Sequence, residues 1–226
     1  MKRLGVLAVL IFSVLFVTVN AVYALPAGVD NDNYLGLYLE TGDGFSAYVV
    51  SNTGVATFNG ALGDWIINVT TAITYPALGS TSEPVIDLNT VNVTSDAGGI
   101  LNIWTSASGF LALTSPESFA FDVGGTTSGT VQFIAYWDYF PNYLFWLAQP
   151  LANSGPIGTS PFATSLTGVV PAGAVDYTLY AQIIHEGAGG TSFDAEFSVP
   201  EPATMLLLGA GLIGLAGLGR RKFFKK

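Results

Sequence analysis

Hydrophobic and polar residues alternate one by one along much of this chain. Val91 and Val93 alternate with Asn92 and Thr94, and the segment 192–198 alternates Phe, Ala and Phe with Ser, Asp, Glu and Ser. A repeat of two residues places apolar side chains on one face of a β-strand and polar ones on the other. One dry face and one wet face is typical of antiparallel sheets.

Eleven segments have this alternation or the β-branched and aromatic composition of strands. The predicted strands are 34–40, 45–51, 64–74, 85–94, 100–105, 118–123, 129–137, 143–148, 164–169, 176–185 and 191–199, with Gly-rich turns at 41–44 and 188–191. No segment has a clear helical periodicity. The expected fold class is therefore all-β, an antiparallel β-sandwich of jelly-roll or immunoglobulin-like type, with a closed barrel as the alternative.

Both ends of the chain differ from this pattern. Lys2 and Arg3 precede an apolar run at 4–19, and Val22 and Ala24 supply small residues at the −3 and −1 positions of a cleavage site. This composition predicts a signal helix, export by the Sec machinery and cleavage after Ala24, with Ala21 as a second site. An uncleaved transmembrane helix is the alternative.

The C-terminal end has three parts in a fixed order. Pro200, Glu201 and Pro202 are followed by an uncharged run at 203–219 and then by a basic cluster that begins with Arg220, Arg221 and Lys222. As a helix the run would be about 25 Å long, the short limit for crossing a bilayer. The basic cluster places its far end in the cytoplasm. The expected domains are a signal peptide at 1–24, a body at 25–198 and a sorting tail at 199–226.

This three-part tail resembles the PEP-CTERM sorting signal of exported bacterial proteins. The resemblance implies that a membrane protease, exosortase, recognises Pro200, Glu201 and Pro202. It further implies a protein held transiently in the inner membrane and then delivered to the cell surface or the extracellular space. Exosortase systems generally accompany exopolysaccharide production, so the resemblance also implies association with exopolysaccharide or biofilm material.

The charge of the body excludes several partners. All seven Lys and Arg residues lie at positions 2, 3, 220, 221, 222, 225 and 226, whereas fifteen of the sixteen carboxylates lie at 25–199. The body therefore has a net charge of about −15 and would repel nucleic acid. It would also repel anionic lipid headgroups and acidic polysaccharides, unless divalent cations mediate the contact. The chain contains no cysteine, which excludes disulfides, cysteine nucleophiles and Cys-ligated zinc.

Few residues suggest catalysis or metal binding. His185 is the only histidine, and no Gly-x-Ser-x-Gly segment accompanies it. Asp194 and Glu196 share a strand face about 7 Å apart, a spacing compatible with glycoside hydrolysis but also with simple solvation. The segment 30–33 is rich in oxygen ligands for Ca²⁺, yet it lacks an EF-hand pattern. We expect no catalytic residue, no cofactor and no required metal.

The segment 133–146 is unusually aromatic. Eight of its fourteen residues are Phe, Tyr or Trp. We expect most of them to fill the sandwich core across a hairpin that turns at 141–142. Trp137, Tyr139 and Tyr143 are the candidates for an exposed surface that contacts a glycan or a protein partner.

These observations predict a non-enzymatic, exported surface or matrix protein. The alternatives are a carbohydrate-binding module that uses exposed aromatic residues and, less favoured, a glycan hydrolase that uses Asp194 and Glu196.

Overall fold

The computed structural model describes residues 35–139, 144–145 and 149–200. They form twelve strands and no helix. The strands are β1 (Leu35–Thr41), β2 (Ser46–Ser51), β3 (Val55–Leu62), β4 (Trp65–Ile73), β5 (Val85–Ser95), β6 (Gly99–Ala107), β7 (Glu117–Thr127), β8 (Thr130–Asp138), β9 (Gln149–Asn153), β10 (Phe162–Val170), β11 (Asp176–His185) and β12 (Gly189–Ser198). The predicted all-β class is confirmed. The predicted signal helix and transmembrane helix lie outside the described residues.

The strands form two six-stranded antiparallel sheets. Sheet A has the order β2-β1-β6-β11-β8-β9, and sheet B has the order β10-β7-β12-β5-β4-β3. The last eight strands pair in a nested order, from the outermost pair to the innermost. β5 pairs with β12, β6 with β11, β7 with β10 and β8 with β9. This nested pairing is that of a jelly roll.

Aromatic and branched side chains fill the space between the sheets. The ring of Phe133 on sheet A meets that of Phe193 on sheet B at 4.8 Å, and Tyr177 meets Phe197 at 5.2 Å. These four side chains are almost fully buried. Because residues 25–199 contain no Lys or Arg, the body has no Lys or Arg ion pairs and rests on this apolar burial and its backbone ladders.

Three details of the sequence prediction were wrong. Strands β3 and β9 were not predicted, because β3 contains Asn and Gly and β9 contains Pro150. The strand expected at 143–148 is absent from its two described residues, Leu144 and Phe145, which form a turn. The turn expected at 188–191 is displaced, because β12 begins at Gly189.

Candidate functional site

Four aromatic side chains form a row across the outer face of sheet A. Tyr48 on β2 lies opposite Tyr38 on β1, Tyr38 lies opposite Trp104 on β6, and Trp104 lies opposite Tyr180 on β11. The ring centroids of successive members are 6.5, 5.2 and 5.1 Å apart. We call these four residues the aromatic row. Trp104 is buried and the three tyrosines are half-buried.

A row of polar side chains runs beside the aromatic row, two residues away from it on β1, β6 and β11, and continues onto β8. It comprises Glu40, Asn102, Gln182 and Gln132, and we call it the polar row. Asn102 Oδ1 accepts hydrogen bonds from Tyr180 Oη at 2.8 Å and from Gln182 Nε2 at 3.1 Å. Gln182 Nε2 also donates to Tyr180 Oη at 3.0 Å. These bonds hold the amide and hydroxyl groups of the two rows in fixed orientations.

Leu144 and Phe145 cover the other side of the aromatic row. The Phe145 ring lies 5.6 Å from that of Tyr48 and 6.1 Å from that of Tyr38. Its backbone N–H donates to Ser106 Oγ at 2.8 Å. A Cβ on Gly36 would lie 2.7 Å from the Phe145 ring, so the ring packs directly on the glycine backbone. The expectation that the aromatic residues of this segment fill the sandwich core is wrong for Phe145, which packs with Leu144 on the outside of sheet A.

The three aromatic residues expected to be exposed, Trp137, Tyr139 and Tyr143, differ in their positions. Trp137 is only 8 % exposed and belongs to the core between the sheets, so its expected exposure was wrong. Every second residue of β8 from Val131 onward is buried, so Trp137 lies with Phe133 on the inner face of sheet A. Tyr139 is 52 % exposed, and its ring meets that of Trp137 at 4.7 Å. Tyr143 lies outside the described residues. The aromatic row was missed because its members come from four strands.

Sheet B carries a different chemistry on its outer face. Glu196 on β12 lies opposite Asp87 on β5 and opposite Asp122 on β7. We call these three residues the carboxylate row. With Asp194 they line a shallow groove on sheet B. Asp194 and Glu196 share a face, as predicted from their spacing, while Asp87 and Asp122 were not predicted because strand pairing alone brings them there.

Two members of the carboxylate row, Glu196 and Asp87, have raised pKa values, chiefly because of burial. Burial, followed by the charges of Asp87 and Asp122, raises the pKa of Glu196. Burial and the charge of Asp194 raise the pKa of Asp87, opposed by a hydrogen bond from Asn89. Protonation of these two carboxylates is thus easier in the folded protein than in a free side chain.

Asp194 has a structural role within this groove. Its Oδ1 accepts a hydrogen bond from the backbone N–H of Thr90 at 2.5 Å. Thr90 has a φ of 55°, and it lies where the pairing of β5 with β12 shifts by one residue. A left-handed threonine is unfavourable, so the bond to Asp194 compensates a local bulge.

His185 is a core residue at the end of β11. It is 3 % exposed, its ring lies 4.9 Å from that of Trp65, and its Nε2 is 2.8 Å from Thr191 Oγ1. Burial lowers the pKa of His185. Among the described residues no group of three or more His, Cys, Asp or Glu side chains could hold a metal ion. The 30–33 segment considered for Ca²⁺ lies outside them.

The sorting tail leaves the body at the end of β12. The backbone N–H of Val199 donates to the carbonyl of Pro84 at 2.9 Å, and the Val199 side chain is buried. The next residue, Pro200, is exposed. Glu201, Pro202 and the basic residues Arg220, Arg221 and Lys222 lie outside the described residues, as does Ala24. Within the described residues, no helix has the length and apolar character needed to span a membrane.

Two of the solved structures that resemble the chain are distant in sequence and in fold. The K1 cleaved adhesin domain of Lys-gingipain from Porphyromonas gingivalis W83 is 13 % identical, with 64 % of this chain and 95 % of that chain covered and a TM-score of 0.35. TmCBM61 in complex with beta-1,4-galactotriose is 10 % identical, with 63 % and 92 % covered and a TM-score of 0.33. Likenesses this low carry no argument about function.

Comparison at the level of sequence is informative only at the C-terminus. None of the curated proteins compared with the chain matches it. A family model for the PEP-CTERM protein-sorting motif matches residues 198–222. The match begins at the last residue of β12 and contains Pro200, Glu201 and Pro202 as well as the first three basic residues. The chain therefore carries a PEP-CTERM protein-sorting motif, which indicates an exported protein that exosortase processes.

Proposed function

We propose that this protein is a non-enzymatic surface or matrix component whose body binds a glycan on the outer face of sheet A. The observation that carries the proposal is the aromatic row lying directly beside the polar row. Aromatic rings offer flat apolar surfaces on which the C–H faces of sugar rings can stack. Oriented amide and carboxylate groups next to such rings supply the few polar contacts that fix a ligand.

The dimensions of the aromatic row suit an oligosaccharide better than a single sugar. Its four members come from four neighbouring strands, and three strand spacings of about 4.8 Å give a length of about 14 Å. Phe145 bounds one side of the row and the polar row bounds the other. A glycan chain would therefore cross the strands of sheet A rather than follow them.

The position of the sorting motif supports release of an intact body. Val199 is still held to the body by a backbone hydrogen bond to Pro84, and Pro200 follows it in an exposed position. Cleavage at or beyond Pro200–Pro202 would remove none of the twelve strands in the described part of the chain, since β12 ends at Ser198. We propose transient anchoring in the inner membrane by the apolar run at 203–219, followed by delivery to the cell surface or extracellular matrix, where the body would contact exopolysaccharide.

The glycan proposal is tested by affinity electrophoresis in gels that contain the exopolysaccharide of the producing cells. The wild-type protein should be retarded, and Tyr48→Ala and Gln182→Ala should each lose the retardation. Phe45→Ala is the matched control, because Phe45 is 54 % exposed and lies against Gly63, away from the aromatic row. Unretarded wild-type protein, or equal retardation of all four proteins, would refute the proposal.

Sorting is tested by the intact mass of the protein in membrane, surface and medium fractions. A surface species that begins near Leu25 and ends near Pro202 is the expected result. A single species that keeps Lys226 in the inner membrane would overturn the sorting proposal.

The same preparations test for hydrolysis. The glycan should keep its length after long incubation with the protein. Shortened products that disappear with Glu196→Gln would instead support catalysis at the groove on sheet B.

A further inference from the structure

The edges of both sheets are free of charge. The four edge strands β2, β3, β9 and β10 contain no Asp, Glu, Lys or Arg. Every carboxylate on a strand lies instead on one of the interior strands β1, β5, β7, β8, β11 and β12. Natural proteins usually place charges, prolines or bulges on edge strands to prevent pairing with another chain.

Strand β10 is the edge that best retains the capacity to pair. Its nine residues pair with β7 without a register shift, from Phe162 opposite Gly125 to Val170 opposite Glu117. Strands β3 and β9 are interrupted by register shifts, and β9 contains Pro150. Strand β2 has six residues. In the described part of the chain, β10 is thus the longest regular edge.

We propose that two copies of this protein pair antiparallel through β10, so that their B sheets join into one continuous sheet. An antiparallel pair centred on Leu166 places Leu166 opposite itself and Phe162 opposite Val170 of the second copy. These residues belong to the inner face of β10, whereas Ser165 and Thr167 belong to its exposed face. Ser165 would lie opposite Thr167 of the second copy, a pairing that hydroxyl groups favour. The contact is isologous and closes as a dimer.

The charge distribution permits this dimer and makes it depend on salt. The nearest row of like charge contains Asp122 on β7, one strand inward from β10. The two Asp122 residues would be three strand spacings apart and offset by two residues along the strands, a distance of about 16 Å. This distance exceeds the Debye length of about 8 Å at physiological ionic strength but not that of about 30 Å at 0.01 M. Since the two bodies are strongly acidic, the dimer should form at physiological salt and dissociate at low salt.

Sedimentation velocity of the purified exported protein tests the proposal. The wild type should be dimeric at about 0.15 M NaCl and monomeric at about 0.01 M. The variant S165K/T167K places lysines opposite lysines across the two-fold axis and should weaken dimerisation about tenfold or more. The variant T57K/N59K is the matched control, since it adds the same charge to two exposed positions on β3, the other edge of sheet B.

Two outcomes of sedimentation overturn the proposal: a wild type that is monomeric at both salt concentrations, and equal effects of the two lysine pairs. A cross-linking measurement is independent of surface charge. Because the chain contains no cysteine, L166C provides a single thiol that lies on the two-fold axis of the proposed dimer. Directly paired residues have Cα atoms about 4.5–5.5 Å apart, which suits a disulfide. Oxidation should convert L166C to a covalent dimer faster than T57C; equal rates would refute pairing through β10.

Discussion

Replacing Glu196 by glutamine should stabilise this protein. Glu196 lies directly opposite Asp87 on one neighbouring strand and Asp122 on the other, with no Lys or Arg in residues 25–199 to neutralise them. Glutamine keeps the shape of the side chain and removes the charge at the centre of the carboxylate row. Like charges directly opposite each other in a sheet are destabilising.

The expected gain follows from Coulomb's law. Two unit charges about 6 Å apart interact by about 0.7 kcal/mol in a medium with the dielectric constant of water. Two such repulsions, reduced by screening at about 0.1 M salt, amount to about 1 kcal/mol. The free energy of unfolding of Glu196→Gln should exceed that of the wild type by this amount at pH 7 in low salt, and by much less at high salt.

The dependence on pH has a definite sign. The folded-state pKa values of Glu196 and Asp87 are raised above the ordinary values of 4.5 and 3.8. The folded state therefore binds protons more tightly than the unfolded state, and unfolding becomes harder as the pH falls through the raised pKa values. The wild type should gain stability from these two groups between neutral pH and about pH 4.5, and Glu196→Gln should gain less.

Urea unfolding followed by circular dichroism measures both effects. Glu186→Gln is the matched control, because it removes one carboxylate from an exposed turn outside the carboxylate row. If Glu196→Gln is no more stable than the wild type at low salt, the carboxylates of the row do not destabilise the fold by mutual repulsion. If Glu186→Gln gives the same gain, the effect belongs to net charge rather than to strand pairing.

Three further predictions concern His185 in the core, Gly125 on sheet B and Phe145 on the outer face of sheet A. Burial lowers the pKa of His185. The stability that the neutral imidazole contributes is therefore present above pH 6.5 and is lost as the pH falls from 6.5 through the folded-state pKa. His185→Gln should remove this part of the pH dependence of urea unfolding. Gly125→Ala should destabilise the fold by about 2 kcal/mol, since its Cβ would collide with the backbone oxygen of Ser192; an unchanged thermal midpoint would contradict this. Phe145→Ala should lower the free energy of unfolding in urea by about 3 kcal/mol, because its ring contacts with Tyr38 and Tyr48 are lost. A loss below about 1 kcal/mol would show that the ring contributes little to the stability of this face of sheet A.

Local pattern predicted most of the strands because interior strands such as β5, β8 and β12 alternate between more and less buried positions along most of their length. β11 matches its predicted bounds, and β5 differs from its prediction by one residue. The pattern failed at β3 and β9, whose sequences suit strands poorly and which are held at the sheet edges by pairing with β4 and β8. It also failed around Phe145, whose φ of 64° is stabilised by contacts with residues more than thirty positions away.

The sequence by itself determined the class of fold, the acidity of the body and the presence of a sorting motif, because each depends on residue type or on spacing within a short segment. Only the tertiary structure assembled the aromatic row and the carboxylate row. Each row takes its members from different strands, and Tyr48 and Tyr180 are 132 positions apart in the chain. Strand order and register decide which side chains become neighbours, and both result from packing the two sheets together.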